Sequence, residues 1–240
     1  MRPSVEQWTR EGKDYITFLA QVARISRRGK FKSRSDDVRL LRSCLKRQHW
    51  GVFEHWPMQG AYTYPRLNRY LQAIDAHQEP RIIGGKDFGR VARLGIDIID
   101  SYDIPPTFHF YCTRACANQL RTYRDQCSWI MESWRYVDFA KPGVVWEYSL
   151  KEEHEGDLLA HKEAQAGYQA YLARRQRGWK PEDARGVLPI ETCTHFVGTA
   201  PRWKWEYICK QRVDHSTGRA QKEVAKLMER VRELLKEERW

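Results

Sequence analysis

The 240-residue sequence predicts an α+β protein of one domain, in which long helices accompany a sheet. Three observations support this prediction. Thr107–Cys112, TFHFYC, is rich in aromatic residues and predicts a strand. Glu155–Arg177 predicts a long helix, which Gly178 ends. A last helix after Gly218 carries an apolar seam, which indicates a face buried in the core or at a contact between subunits.

The first hundred residues contain one clear helix and a long irregular segment. A cap at Ser35–Asp37 predicts a helix over Val38–Gln48, and His49–His55 follows it as a turn. Arg66–Ala76 predicts a second, short helix. Residues 79–106 contain glycine and proline pairs and predict a loop-rich excursion.

The second half alternates helices with extended segments. A helix is predicted from Arg114 to about Gln126, and Thr192–Val197 predicts a strand or an extended connection. Pro181 suits the first turn of a short helix that carries Arg185. Pro201–Val213 predicts a further helix before the last one.

The chain is strongly basic, with a formal net charge of +11 at pH 7. Such a charge suits nucleic-acid binding, attraction of small anionic substrates, or a general bias in composition. Ten Trp and twelve Tyr favour a folded protein over a disordered one. No apolar run is long enough to cross a membrane, and the amino terminus has no apolar signal core. We therefore expect a soluble, cytoplasmic protein without a membrane partner.

The six cysteines contain no C-x-x-C pair, so neither a zinc ribbon nor a thioredoxin motif is indicated. Buried free thiols are expected instead. Cys112 and Cys116 are four residues apart and could share a helix face. Cys193 and His195 are two apart and would share one face of a strand, which allows a nucleophile–base dyad. Ordinary packing is the favoured interpretation of that pair.

Ala117–Tyr136, ANQLRTYRDQCSWIMESWRY, is the densest supply of polar recognition groups in the chain. Its guanidinium, hydroxyl, carboxyl and amide groups belong to Gln119, Arg121, Arg124, Ser128, Glu132, Ser133, Arg135 and Tyr136. Guanidinium and hydroxyl groups bind phosphate, and planar hydrogen-bonding groups suit a nucleotide base. The segment therefore predicts a nucleotide site. A set of surface ion pairs with a capping serine is the alternative.

Four residues near the end of this segment, Ser128, Ser133, Arg135 and Tyr136, have a distinctive spacing. Further blocks accompany them: Ala23–Ser26, His49–His55, Ala184–Pro189 and, more weakly, Arg212–Asp214 with Ala220–Gln221. In order and approximate spacing, these blocks resemble the signature of flavin-dependent thymidylate synthases. The chain is thus identified as a divergent member of that family.

The chain departs from the signature at several positions. The family's arginine–histidine–arginine triplet becomes Thr122–Arg124, and one extra residue precedes Ser128. An asparagine–glutamate pair becomes Ile130–Met131, with Glu132 displaced by one position. Gly51 stands where the family has a hydroxyl residue. These changes fall among residues that would contact flavin and nucleotide.

The resemblance also implies the fold. It implies a central antiparallel sheet with long helices, in one domain over residues 1–240. Compared with the family, residues 56–106 form an insertion within that domain. Around Pro201–Tyr207 the family's polar flavin contacts are replaced by aromatic residues, which are expected to form a packed helix face.

Roles for individual residues follow from the resemblance alone. Arg212 and Ser133 would be catalytic, and Arg212 would polarise a carbonyl oxygen of the base. The substrate-binding residues would be Gln119, Arg121, Arg124, Glu132, Ser133, Trp134, Arg135, Arg185 and Arg212. The cofactor-binding residues would be Ser26, His49, Gly51, Glu54, Thr122, Tyr123, Arg124 and Tyr207. No metal ligand is implied.

The resemblance implies methylation of dUMP at carbon 5 to give dTMP, in a homotetramer. Methylenetetrahydrofolate would donate the carbon, FAD would be the redox cofactor and NADPH the reductant. One alternative is C5 methylation or hydroxymethylation of a related pyrimidine nucleotide such as UMP. A second alternative is a non-enzymatic, basic nucleic-acid-binding protein, although the resemblance leads us to expect no nucleic-acid partner.

Overall fold

The computed structural model describes residues 4–8, 15–47, 49–55, 105–151, 154–216 and 218–237. The described chain divides into two compact units. Among the described residues, the first unit comprises residues 4–8, 24–30 and those from 106 to 237, and the second comprises residues 15–23, 31–47, 49–55 and 105. The predicted helix Arg66–Ala76 and the predicted insertion, residues 56–106, lie outside the described residues apart from Pro105 and Pro106. The single domain with its insertion therefore stays a prediction.

A four-stranded antiparallel sheet organises the first unit. Its strands are β1 (Ser4–Gln7), β2 (Thr107–Thr113), β3 (Ser128–Met131) and β4 (Cys193–Thr199). They lie in the order β1-β2-β4-β3, so β2 and β4 are the inner strands and pair along their whole length. Helices together with an antiparallel sheet confirm the predicted α+β class.

The helices mostly begin and end close to their predicted limits. They are α1 (Tyr15–Ile25), α2 (Arg34–Lys46), α3 (Arg114–Leu120), α4 (Leu158–Gln176), α5 (Pro181–Ala184), α6 (Arg202–Arg212) and α7 (Lys222–Glu237). Two 3-10 helices, Trp50–His55 and Arg185–Val187, supplement them. Within the described residues, no helix has the length and apolarity needed to span a membrane.

The predicted helix from Arg114 to Gln126 is wrong in its second half, because α3 ends at Leu120. Beyond that residue, the hydroxyl of Thr122 donates to the carbonyl oxygen of Gln119 at 2.7 Å, and the chain continues through turns. Gln126 has φ of 54°, a left-handed conformation that a helix cannot contain. These turns redirect the chain into β3.

One face of the sheet is apolar because side chains alternate along each strand. Phe108 and Phe110 of β2 and Phe196 of β4 are fully buried, and Phe110 stacks on Phe196 with centroids 4.6 Å apart. Trp205 of α6 packs edge-on against Phe108 at 5.0 Å. The α7 seam joins this core through Val224, Leu227, Met228, Val231 and Leu235. The predicted seam is therefore part of the core.

Helix α4 contacts a second apolar cluster in the same unit. Tyr171 is fully buried there, together with Trp134, Phe139 and Ala184. The Tyr171 hydroxyl donates to the carboxylate of Asp138 at 2.9 Å. Arg175, one turn later, donates to the same carboxylate at 2.7 Å. These bonds attach α4 to the segment that follows β3.

In the second unit, α2 begins four residues earlier than predicted. The side chain of Ser33 caps it by accepting a hydrogen bond from the Asp36 N–H at 3.2 Å, so the predicted cap at Ser35–Asp37 is wrong. Ser33 occupies the capping position because its backbone is extended there, whereas Ser35 is already helical. Leu41 of α2 and Phe18 of α1 are fully buried.

All six cysteines are free thiols, and five of them are buried, which confirms that expectation. The expectation that Cys112 and Cys116 share a helix face is wrong. Cys112 belongs to β2 and Cys116 to the first turn of α3, because the strand continues directly into the helix after Thr113. Thr113 caps α3 by accepting from the Cys116 N–H at 3.1 Å.

Candidate active site

Two of the sequence blocks meet at Ser133 in the first unit. After β3 the chain forms a turn in which the carbonyl oxygen of Ser133 accepts from the N–H groups of Tyr136 and Val137. The Ser133 N–H donates to the carbonyl oxygen of Ser26 at 2.9 Å. The structure thus brings together a residue predicted to bind cofactor and one predicted to bind substrate.

Glu132 is buried beside this turn, with only 1% of its surface exposed. Its carboxylate accepts from Arg28 Nε at 2.7 Å and from Trp134 Nε1 at 3.1 Å. Burial raises the pKa of Glu132, while the neighbouring Arg28 opposes that rise. Because protein donors bond to both carboxylate oxygens, Glu132 fixes the shape of the turn.

Arg114, at the start of α3, lies on the other side of Trp134, with its guanidinium carbon 4.6 Å from the ring centroid. It also donates to the carbonyl oxygen of Glu132 at 3.0 Å. Burial and repulsion from Arg121 and Arg185 lower the pKa of Arg114 to about 10, although Glu132 acts in the opposite direction. Arg121 and Arg185 are thus near enough to Arg114 to repel its charge, and an anionic ligand would relieve that repulsion.

Arg135 and Arg185 both contact Glu182 of α5. Arg135 Nε donates to the Glu182 carboxylate at 2.8 Å, and Arg185 Nε donates to the Glu182 carbonyl oxygen at 3.2 Å. Arg135 is exposed, and its guanidinium also lies 5.9 Å from the ring centroid of Tyr136. Glu182 therefore joins the segment after β3 to the block that carries Arg185.

Gln119, near the end of α3, contacts another of the resembling blocks. Its amide donates to the side-chain oxygen of Gln221, the residue before α7. Thr122 and Arg124 lie in the turns beyond α3, and both are exposed. The predicted helix would have carried Gln119 and Arg124 together, and this placement is wrong because α3 ends between them.

Tyr123, Gln211 and Tyr207 form a chain of hydrogen bonds. The Tyr123 hydroxyl donates to Gln211 Oε1 at 2.7 Å, and the Gln211 amide donates to the Tyr207 hydroxyl. The Arg212 guanidinium carbon lies 5.2 Å from the Tyr123 ring centroid. Arg212 Nε is buried and has no hydrogen-bond partner among the described residues. A buried donor without a partner is unfavourable, so a ligand acceptor would stabilise it.

Three predicted cofactor residues lie in the second unit. His49 precedes the 3-10 helix, and its N–H donates to the carbonyl oxygen of Cys44 at 2.9 Å. Gly51 and Glu54 belong to that 3-10 helix, and the Glu54 side chain is exposed. Apart from the chain neighbours of Gly51, no atom of the described residues lies within 4 Å of the place where its Cβ would stand, so these residues leave room for a hydroxyl residue there. The roles of these residues stay predictions.

The pair Cys193–His195 shares one face of β4, but its protonation states do not suit a dyad. Burial raises the pKa of Cys193 to about 12, and burial together with His109 lowers the pKa of His195 to about 4. His195 Nδ1 is hydrogen-bonded to His109 Nε2 at 3.1 Å. The thiol stays protonated at neutral pH, which supports the packing interpretation.

Sequence reasoning missed three residues that build this region: Arg28, Arg114 and Gln211. Arg28 follows the Ala23–Ser26 block, but its contact with Glu132 depends on a left-handed backbone, with φ of 51°. Arg114 lies three residues before the polar segment, and the sequence shows its charge but not the residues that it contacts. Gln211 adjoins Arg212, and adjacency to a predicted catalytic residue was the available signal.

The geometry describes an α+β protein in which arginines surround the Ser133 turn and a separate group combines tyrosine, amide and guanidinium side chains. A family described as thymidylate synthase complementing protein matches residues 104–239, which is more than half of the chain. The chain belongs to this family, and the identification made from its sequence blocks is confirmed.

Two further similarities were found. A flavin-dependent thymidylate synthase of Pyrobaculum aerophilum is 35% identical over 86 residues, which are 36% of this chain and 32% of that protein. The chain thus matches only about a third of that relative's length. The crystal structure of a UMP/dUMP methylase, PolB from Streptomyces cacaoi bound with 5-Br UMP, covers 98% of this chain and 89% of its own. Its TM-score is 0.48 at 15% identity, and a similarity of this size does not establish a shared fold.

Proposed function

We propose that the protein is an enzyme that methylates carbon 5 of dUMP to give dTMP. Methylenetetrahydrofolate would donate the carbon, FAD would be the redox cofactor and NADPH the reductant. Membership in the thymidylate synthase complementing protein family supports this proposal, as does the partial match to a flavin-dependent thymidylate synthase. The observation that carries it is the Ser133 turn, which is bonded to Ser26 and which adjoins Arg114, a guanidinium that Arg121 and Arg185 repel.

The arginine cluster would bind the nucleotide phosphate. Burial and mutual repulsion weaken the hold of Arg114 on its proton, and a phosphate dianion would reverse that effect by supplying the missing negative charge. Ser133, with a hydroxyl next to the cluster's turn, would donate to the same phosphate. Arg135 would do so as well, after exchanging its bond with Glu182 for one to the ligand.

Arg212 would act at the base. Its Nε is a buried donor in need of an acceptor, and a carbonyl oxygen of the pyrimidine would supply one. A guanidinium hydrogen bond to that oxygen would stabilise the negative charge that develops when carbon 5 acts as a nucleophile. Tyr123 would hold the guanidinium in place through its ring. Gln119, Arg124 and Trp134 would complete the substrate contacts.

The first unit contains side chains whose chemistry suits the binding of a flavin. Tyr207 presents a ring that is 45% exposed, and its hydroxyl is held by Gln211. An exposed aromatic ring and a nearby amide suit a planar ring system with polar edges. Bound FAD would supply the hydride that reduces the transferred carbon to a methyl group. Ser26, Thr122 and Tyr123 of this unit are proposed as further contacts, and cofactor roles for His49, Gly51 and Glu54 stay predictions from the family resemblance.

The protonation state of Cys193 agrees with a route that uses no protein nucleophile. A thiol whose pKa is raised to about 12 would form almost no thiolate at neutral pH. The homotetramer and the cytoplasmic location stay predictions.

The first test is the visible absorption spectrum of the purified protein, with and without added FAD and dUMP. We expect a flavin band that stays with the protein and shifts when dUMP is added. Arg212→Gln should reduce the dUMP-dependent shift, whereas Arg230→Gln, an exposed arginine of α7, should leave it unchanged. Absence of retained flavin and of any nucleotide-dependent change at saturating FAD would contradict the proposal.

A second test separates the possible substrates. The protein would be incubated with methylenetetrahydrofolate and NADPH, and with either dUMP or UMP, before mass analysis of the products. A methyl product from dUMP supports the proposal, while a methyl or hydroxymethyl product from UMP alone would redirect it. Salt-sensitive binding to oligonucleotides without mononucleotide turnover would instead indicate a nucleic-acid-binding protein.

A further inference from the structure

A cluster of metal-ligating groups lies outside the candidate active site, where β2 passes into α3. Cys112 is the penultimate residue of β2, Cys116 lies in the first turn of α3, and Glu223 lies in the first turn of α7. Their ligand atoms all lie within 4.8 Å of one another. Both thiols are fully buried in the main core, and Glu223 is partly buried. Three separate elements therefore direct soft and hard ligand atoms toward one point.

The cluster places two buried thiols and one carboxylate where a single cation would contact all three, because their ligand atoms are mutual neighbours. Such a cation would take the place of the thiol protons, since the thiolate is the form of cysteine that binds metals.

The orientation of Glu223 is fixed in advance. One carboxylate oxygen accepts from the Thr113 N–H at 2.8 Å, and the other accepts from the Thr113 hydroxyl at 2.5 Å. Carboxylates that bind metals commonly carry such outer hydrogen bonds, which hold the ligand and leave further lone pairs free. Thr113 itself is held by its capping bond to the Cys116 N–H. The same residue thus positions two of the three groups.

We propose that Cys112, Cys116 and Glu223 form a structural zinc site. Two thiolates and one carboxylate are a ligand set that favours a tetrahedral, borderline-soft divalent cation, and calcium or magnesium would require oxygen ligands. A water molecule would be the fourth ligand. Zinc binding would release the two thiol protons and form two zinc–sulfur bonds and one zinc–oxygen bond, without any redox change.

Such a site would join the amino-terminal ends of α3 and α7 to β2. Helix α3 carries Arg114 and Gln119, and α7 follows Gln221. Zinc would therefore hold these residues of the candidate active site in fixed positions relative to one another. The proposal does not depend on the proposed function, because it concerns only the core beneath α3. It requires no bound nucleotide or flavin.

The test uses the full chain, first freed of metal with a chelator under reducing conditions and then given zinc. We expect about one zinc per chain after gel filtration, and an X-ray absorption spectrum with two sulfur ligands at roughly 2.3 Å and oxygen at roughly 2.0–2.2 Å. Cobalt as a substitute should give thiolate-to-metal charge-transfer absorption. Zinc retained without sulfur ligands, or no zinc retained, would overturn the proposal. So would isolation of the chain with a Cys112–Cys116 disulfide that excludes zinc.

Variants identify the ligands. Cys112→Ser and Cys116→Ser should each lower zinc affinity by more than about 100-fold, beyond the 10–100-fold that loss of an outer hydrogen bond costs. Cys209→Ser is the matched control, because it removes another buried thiol of the same core whose partner is the Met228 carbonyl oxygen. Equal zinc affinity in all three variants would overturn the assignment. If a variant fails to fold, the absorption spectrum of the unaltered chain still decides the question.

Discussion

Two neighbouring segments of the first unit use arginine in opposite ways. Around Ser133, the cluster of Arg114, Arg121 and Arg185 has more positive charge than its surroundings balance, and the pKa of Arg114 is lowered to about 10. Five residues after Ser133, the buried carboxylate of Asp138 accepts two hydrogen bonds from Arg175, at 3.0 and 2.7 Å. Those bonds, with a smaller contribution from the Tyr171 hydroxyl, lower the pKa of Asp138 to about 2.

The difference separates charge that stabilises the fold from charge that is available to a ligand. A satisfied ion pair contributes to stability only while both partners are present, since either one alone would be a buried, uncompensated charge. An unbalanced cluster contributes little or negatively to stability, because its members repel one another. Substitutions in the two regions should therefore affect different measurements, stability in one and ligand affinity in the other.

The largest expected effect comes from breaking the satisfied pair. Asp138→Ala leaves Arg175 without its carboxylate and Tyr171 without its acceptor, so we expect a loss on the order of 3 kcal/mol in the free energy of unfolding. Urea unfolding followed by circular dichroism measures this. Glu233→Ala is the control, because its ion pair with Arg230 joins two exposed side chains. That change should cost less than about 0.5 kcal/mol. Equal losses in both variants would contradict the comparison.

Strands β2 and β4 and the long helices of this unit could be predicted, whereas β1, β3 and the contacts in both arginine regions could not. The aromatic run of β2 and the apolar seam of α7 are local patterns, which the sequence displays directly. The end of α3 depends on the bond from Thr122 to Gln119, which competes with helix continuation. The pair Asp138–Arg175 joins residues 37 positions apart, so only the fold brings them together.

The candidate site shows the same limit. Ser26 and Ser133 were each predicted from the blocks that contain them, and the structure joins them through one backbone hydrogen bond. Arg28 and Arg114 escaped prediction because their partners lie on other segments: Glu132 for the first, and Trp134 with Glu132 for the second. Motif spacing identifies residues that a family shares, but it does not identify the other residues of this chain that hold them in position.

The second prediction concerns the stability of the folded protein at low pH. The pKa of Asp138 is lowered to about 2 in the folded protein, and an aspartate in an unfolded chain has a pKa of about 3.9. The carboxylate therefore stabilises the fold fully above about pH 4, and this contribution is lost as the pH falls from there toward 2. We expect a loss on the order of 2 kcal/mol over this window, measured by urea unfolding at each pH. In Asp138→Ala the same window should show a smaller loss, and identical pH profiles for the two proteins would contradict the assignment.

The smallest expected effect in free energy is on ligand binding at the unbalanced cluster. Arg121→Gln removes one cation from the exposed end of α3 without removing a buried partner, so stability should change by less than about 0.5 kcal/mol or increase slightly. Affinity for dUMP, measured by calorimetry, should fall about tenfold, which corresponds to about 1.4 kcal/mol.

The control for this prediction is Arg39→Gln. Arg39 is an exposed arginine of α2 that pairs with Asp36, and its substitution should leave dUMP affinity unchanged. Because the ligand is charged, the deficit of the Arg121 variant should shrink as salt is added, since screening weakens the contribution of an exposed cation. If Arg121→Gln instead lowered the stability of the protein and left its affinity for dUMP unchanged, Arg121 would stabilise the fold and would not belong to the anion site.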